Sequence, residues 1–453
     1  MKSRTLACSF VPILFVLLAI PVRVTAQQHQ SEKLPRYFVT DLGTLGGTFS
    51  VGRGINAGGN VVGSAALNDN TAQHAFMWQK GLITDLGTLG GPNSIAFLGP
   101  NEADVVPGEA ETSTPDPLGE DFCFFGTRLT CLPFVWQNGV MTALPTLGGN
   151  NGSASAINNR GQVGGLAENA TLDSTCSSPE NENEAVIWDK GVPKPLPTVA
   201  GDPDGYVNAI NDNGDAVGGS GNCFSGPTFS LHAVLWQNGK PTDLGSLGGA
   251  LFSGGIGIND RGLVTGSSDL PGDTTFFAGP FINTHAFLWK SGAIKDLGTL
   301  PGDAVSFSQA INNRGQVVGF GSRAILWQDG KLIDLNTLVP GPPFSPMYLL
   351  QALDISVRGE IVGIGLTING DIHGFLAVPC DENHADVEGC KDGAAAGATV
   401  ESSATSGRSP VSVTQVKLAP GGRWGTPCLA GTSSRCRGGR QLPILGNWHT
   451  RWP

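Results

Sequence analysis

Charge is scarce in this sequence: Asp, Glu, Lys and Arg together make up 14% of the residues, where soluble chains average about 25%. A helical bundle, which builds its faces from Glu, Lys and Ala, is a poor match to that composition. Catalytic motifs are missing as well. The chain holds no Gly-x-Ser-x-Gly, no His-Glu-x-x-His and no phosphate-binding loop, the signatures of the commonest hydrolases and nucleotide enzymes. Its cysteines never take the short C-x-x-C spacing of a zinc site, and no residue set points to a cofactor. Past the N-terminus no stretch is apolar enough to cross a bilayer, which takes about 20 residues. Basic residues are few before the C-terminal end. Residues 27–390 hold 16 Lys and Arg against 36 Asp and Glu, a net of −20, whereas residues 391–453 hold 8 against 2, a net of +6. So acidic a body repels phosphate backbones, which argues against nucleic acid as a partner.

Glycine is what the sequence has in excess. Its 66 glycines are roughly twice ordinary usage, as expected for many short strands joined by tight turns. The chain opens with Lys2 and Arg4, an apolar run from Val11 to Ile20 interrupted by Pro12, and the small residues Val24-Thr25-Ala26. That order is that of a secretory signal peptide; the competing reading, a membrane anchor, needs a longer apolar run. Residues 1–26 are therefore expected to be removed, residues 27–36 to be a linker, and the mature protein to be secreted. Cys8 leaves with the signal, and eight cysteines remain. An even number behind a signal peptide favours disulfides. Pairing Cys123 with Cys131, and Cys380 with Cys390, closes short loops. Cys176 and Cys223 lie in corresponding loops of adjacent repeats and are expected to bridge them. Cys428 and Cys436 are left without an assignment.

Repetition dominates the rest. The sixth unit shows it cleanly: Asp296-Leu-Gly-Thr-Leu300, then Gln309-Ala-Ile-Asn-Asn-Arg-Gly315, then Arg323-Ala-Ile-Leu-Trp327 followed by Gly330. Asp-Leu-Gly-Thr-Leu recurs with drift at Asp41, Asp85, Asp243, Asp296 and Asp334, and Ala143 and Pro195 begin the two remaining copies. Ile-Asn-x-x-Gly recurs around Asn56, Asn158, Asn211, Asn259 and Asn312, with Ile355-Ser356 a variant and Asn101-Glu-Ala-Asp104 a copy lacking the glycine. The aromatic element begins at His74, Pro133, Glu184, His232, His285, Arg323 and His373. Each unit reads as four strands, A to D, with tight hairpins A–B and C–D marked by glycine. About 40–50 residues and four strands per unit is the signature of a propeller blade. The last unit lacks a strand D, while Tyr37-Phe-Val-Thr-Asp41 is an orphan strand D ahead of the first. The expected fold is an all-β, seven-bladed β-propeller over 37–379, closed by that N-terminal strand completing the last blade and removing the free edges. Residues 380–390 are expected to be a disulfide-closed loop and 391–453 a disordered basic tail.

The His-Ala-Phe units joined by Asp-Leu-Gly-Thr-Leu-Gly-Gly resemble the bacterial HAF family of extracellular repeat proteins, over roughly 37–390. The resemblance implies location and architecture rather than a chemistry.

The recurring histidines, His74, His232, His285 and His373, suggest a metal ring, but each begins a strand C of a different unit. A hydrogen bond inside each blade is the better expectation. The tryptophans read as blade packing rather than a sugar platform. Asn211-Asp-Asn-Gly-Asp215 has oxygen ligands alternating before a glycine, as in a calcium loop, but lacks the distal acid; a plain hairpin is expected. Asp381-Glu-Asn-His-Ala-Asp386 is read as part of the disulfide-closed loop. Function is expected on the B–C connections, which vary from residues 109–132, 166–183, 219–231 and 267–284 in units two to five to 320–322 in unit six, because long loops on a rigid scaffold carry binding. Their candidate ligand face comprises Asp116, Glu120, Asp121, Phe122, Phe124, Phe125, Phe276 and Phe277, a mixture of aromatic and acidic groups suited to sugars or cationic polymers. The expected role is a monomeric, non-catalytic binding or scaffold protein for a carbohydrate or cell-envelope component. The alternatives are a carbohydrate-active propeller enzyme with a carboxylate pair and a purely structural envelope protein.

Overall fold

A computed structural model describes residues 34–199, 201–223, 230–272, 283–340, 345–384 and 390. The expected signal peptide, most of the linker and the basic tail lie outside the described residues. Among the described residues, the elements apart from two short 3-10 turns at Leu335–Leu338 and Glu382–His384 are β-strands, in keeping with the glycine-rich, charge-poor composition.

Repeats one to six each fold as four antiparallel strands in sequence order. Repeat six is typical, with Phe307–Ile311, Val317–Phe320, Ala324–Gln328 and Lys331–Asp334 side by side. Repeats two to six form five separate four-stranded sheets, and repeats one and seven share one sheet of eight strands. In the shared sheet Tyr37–Asp41 lies antiparallel to Ile372–Pro379, with Tyr37 opposite Pro379 and Asp41 opposite Phe375. A single parallel bridge, Phe49 to Ile372, connects the two halves. The orphan strand at the N-terminus thus serves as the fourth strand of the last repeat. Each repeat lays its second and third strands on the first strand of the next, and repeat seven does the same to repeat one. Apolar layers fill these contacts. Ile55, Val61 and Phe76 of repeat one meet Val362, Leu376 and Val378 of repeat seven in one cluster.

The hairpins follow from the turn residues. The first hairpin places Gly59, Gly161, Gly214, Gly262, Gly315 and Gly359 at φ between 70° and 92°, a conformation that disfavours residues with a Cβ. Repeat two has no such glycine, and Asp104 takes the position at φ 56°; the hairpin survives the loss. The second hairpin has two left-handed residues in a row, as in Asn138-Gly139 and Asn238-Gly239, the backbone of a type I′ turn. Both hairpins lie at one end of the strands, the turn face. The connections between second and third strands, and the crossings to the next repeat, lie at the other, the loop face.

The turn asparagine links the repeats. Its Oδ1 accepts amides of its own turn, as Asn211 does from Asn213 and Asp215 at 3.1 and 2.9 Å. Its Nδ2 reaches the equivalent carbonyl of the next repeat. The links run from Asn56 to Asn101, to Asn158, to Asn211, to Asn259, to Asn312 and on to Ser356, at 2.9–3.2 Å. Ser356 is too short to continue the series. There Arg358 Nη1 reaches Ala57 O of repeat one at 3.4 Å, and Asp354 Oδ2 accepts the amide of Ile55 at 2.9 Å.

Candidate functional site: the loop face

The repeated histidines are held within the sheets. His74 Nδ1 meets Asp85 at 2.8 Å, His285 meets Asp296 at 2.9 Å, and His373 meets Asp41 at 2.9 Å. Each pair joins the start of a third strand to the end of the fourth, so the His and the Asp of the two repeat motifs serve one another. His232 instead meets Asp202, of the crossing into its repeat, at 3.0 Å, and in repeat six Arg323 takes the histidine's place on Asp334. The Asp41 bond raises the His373 pKa, and it lowers that of Asp41 against the opposing effect of burial. Tryptophan is packing: Trp188 and Trp236 are buried and donate their indole N–H to Pro145 O and Pro197 O, both at 2.8 Å. The Asn211–Asp215 segment is a hairpin whose acids serve neighbours, Asp212 Oδ1 accepting from Asn159 N and Asp215 Oδ2 from Gln237.

The long loops of repeats two to four are tied to one another. Disulfides Cys123–Cys131 and Cys380–Cys390 close the short loops, and Cys176–Cys223 joins repeat three to repeat four, the three expected pairings. The Cys223 amide also donates to Thr175 Oγ1 at 3.0 Å. Between repeats two and three, Asn151 Nδ2 stands within reach of three carboxylates, Asp116 at 2.9 Å, Glu168 at 3.0 Å and Glu120 at 3.4 Å. Asn181 N donates to Glu120 Oε1 at 3.3 Å. Burial, with Glu168, Asp116 and Glu180 alongside, pushes the Glu120 pKa far up, and Glu120 and Glu168 are hydrogen-bonded carboxyl to carboxyl. A second such pair, Asp204 with Asp173, lies where repeat three meets repeat four; burial foremost, then the Asp173 charge, pushes Asp204 up to about 8.

The expected ligand-face residues take different places. Asp121 is spent on its own loop, its carboxylate accepting the amide of Gly126, while Asp116 accepts the amides of Leu118 and Glu120 at Oδ1 and Asn151 Nδ2 of repeat three at Oδ2. Phe122 packs against Leu166, Tyr206, Leu231 and Phe252, under the loop rather than on it. Phe124 is exposed, Phe125 is half-buried, and Glu120 sits in the carboxyl pair. Phe276 and Phe277 lie outside the described residues.

The residues that sequence reasoning missed are Glu111, Glu168 and Asp269. All lie on the second strand of their repeat, Asp269 as its last residue, and all are buried. Repeat one has Ala66 at that position and repeat four Gly221. Each acid holds the crossing into its own repeat. Glu168 Oε2 accepts Asn150 N and Asn151 N, Glu111 Oε2 accepts Asn93 Nδ2, and Asp269 Oδ2 accepts Leu251 N. An acid where other copies carry Ala or Gly was the available signal.

No family model matches the chain, nor does any curated protein. Among solved structures it is similar to the β-propeller domain of the Trilobed protease from Pyrococcus furiosus, at 8% identity over 75% of this chain and 95% of that one, with a TM-score of 0.43. It is similar also to an acylaminoacyl peptidase of Pyrococcus horikoshii, at 11% identity and TM-score 0.43, and to Trypanosoma rangeli sialidase, at 10% and 0.34. It covers 52% and 55% of those two chains and matches over 74% and 76% of its own length. Likenesses so distant transfer no residue and no activity.

Proposed function

We propose that the protein is a secreted, non-catalytic binding or scaffold protein of the HAF-repeat kind. In this reading its repeats close into a seven-bladed β-propeller, and the loop face of repeats two to five meets a carbohydrate or other cell-envelope polymer. The observation that carries the reading is the cross-tying of the loops of repeats two, three and four by Asn151, Asn181 and the Cys176–Cys223 bridge. Loops fixed before a ligand arrives lose less entropy on binding. Closure is supported by the Tyr37–Asp41 pairing and by the Asp354 and Arg358 contacts to repeat one. Secretion is supported by the disulfides, and no helix among the described residues is long and apolar enough to cross a membrane.

The alternative, a glycosidase or lyase, needs two carboxyls set about 5 Å or more apart around a sugar. The carboxyl pairs described here touch each other, and Glu168 is buried beneath amide donors. The test is a glycan and cell-wall binding screen, with product analysis on the same polymers. It compares the mature chain with a variant in which residues 116–128 are shortened to three and Cys131→Ser removes the leftover thiol. Binding without turnover, lost in the shortened variant, is expected. Turnover, or binding that survives the shortening, would overturn the reading.

A further inference from the structure

Among the described residues two aromatic side chains are exposed, Phe124 at 39% and Tyr348 at 48%. Phe124 belongs to the loop face of repeat two. Tyr348 stands elsewhere on the same face, at the start of the first strand of repeat seven, Met347–Ile355, opposite Leu366. Repeat six leaves it uncovered because only residues 321–323 separate its second and third strands, whereas repeat two has residues 116–128 there.

Beside Tyr348 is a fixed set of polar groups. Arg323 Nε donates to Asp334 Oδ2 at 2.6 Å, and Nη1 to Ser322 Oγ at 2.7 Å and Asp303 Oδ1 at 3.4 Å. Ser322 Oγ in turn donates to Asp303 Oδ1 at 2.6 Å. Asn336 N donates to Asp334 Oδ1 at 2.9 Å, and the Asn336 side chain is hydrogen-bonded in both directions to the backbone of Leu349, the residue after Tyr348, at 3.0 and 2.8 Å. That places Tyr348 beside the Arg323, Asp303 and Asp334 cluster. The Arg323 contacts hold the guanidinium plane by Nε and Nη1 and leave the two N–H groups of Nη2 for an incoming acceptor. Repeat six is the copy in which Arg replaces the His of the third strand, so this fork has no counterpart at His74, His285 or His373.

We propose that Tyr348, Arg323, Asp303 and Asp334 form a second ligand site, for a neutral polysaccharide, with a pyranose ring laid on the Tyr348 face. An exposed aromatic face offers a rigid apolar surface at small entropic cost. Sugar hydroxyls supply both the donors that the carboxylates accept and the oxygens that Nη2 requires. Two carboxylates about one guanidinium, on a body of net charge −20, repel a polyuronate, which is why the ligand is neutral. The inference shares the carbohydrate ligand class with the loop-face reading but uses none of its residues.

The experiment is affinity electrophoresis of the full mature chain in gels holding laminarin, xyloglucan, galactomannan or polygalacturonate. At least one neutral polymer is expected to retard the protein and polygalacturonate is not. Tyr348→Ala should weaken that retardation at least tenfold and Tyr348→Phe less than threefold. Arg323→Gln should weaken it severalfold, with thermal unfolding of Tyr348→Ala unchanged. Failure of every neutral polymer, or equal retardation of Tyr348→Ala and the wild type, overturns the site. If the variant shortened at 116–128 loses binding while Tyr348→Ala keeps it, this inference fails and the loop-face reading stands. The reverse result sinks the loop-face reading and leaves this one.

Discussion

Asp204 shows what burial does to a single carboxyl. Its Oδ1 accepts the amide of Asn183 at 2.8 Å, yet desolvation and the adjoining Asp173 raise it to about 8. The folded protein therefore holds a proton that the unfolded chain releases near pH 4. The sign follows: this stabilising contribution is complete below about pH 4 and disappears as the pH climbs through about 8. Asp204→Asn keeps the acceptor and removes the charge. Melting temperatures measured between pH 4 and 9 are expected to fall less steeply in that variant than in the wild type, the two matching at the acid end. A parallel decline in both would show that Asp204 is ionised throughout. Glu168 is a contrasting case. Its oxygens are spent on Asn150, Asn151 and Asn181, so its role is to hold a crossing in place, like Glu111 and Asp269. Its residue type was legible in the sequence but its burial was not, because loops from a neighbouring repeat impose it.

At the level of the turn, the Ile-Asn-x-x-Gly motif was readable as a hairpin because glycine spacing and alternation are local properties. Its further role was not, since no spacing reveals that Asn211 Nδ2 reaches Asn259 O in the next sheet. The copy in repeat two lacks the glycine, yet Asp104 adopts the left-handed backbone and the hairpin forms. Loop lengths were legible; that Phe122 turns inward was not, because Tyr206 and Phe252, which receive it, come from later repeats. The series of asparagine links stops at Ser356, whose Oγ copies the local half of the asparagine's work by accepting from Arg358 N and Glu360 N at 3.2 Å. Ser356→Asn should therefore supply the missing link to repeat one and raise stability by about 1 kcal/mol, the worth of one net hydrogen bond. Denaturant titration of the two proteins measures it, and an unchanged midpoint would mean that the carbonyl of Asn56 lies out of reach.

Across the whole molecule, the pairing of Tyr37–Asp41 with Ile372–Pro379 carries the join between the first and last repeats. Tyr37 and Val39 are buried in the cluster that also holds Leu326, Leu349 and Phe375. Removing residues 27–41 takes both out, a loss of about 4 kcal/mol from apolar burial alone. The truncated protein is expected to melt several degrees lower in one transition, because the loosened sheet contacts both neighbours; an unchanged melting temperature would show that the repeats stack without closing. The same pairing also governs the timing of assembly. A chain is made from its N-terminus, so the strand at Tyr37 emerges before anything it can bind exists. Its partner is among the last residues of the described body to be synthesised. Until then six repeats can stack in turn while the third strand of the seventh has no neighbour on its outer side. The strand at Tyr37 is thus the last to dock, and the sheet shared by repeats one and seven waits on the arrival of residues 372–379.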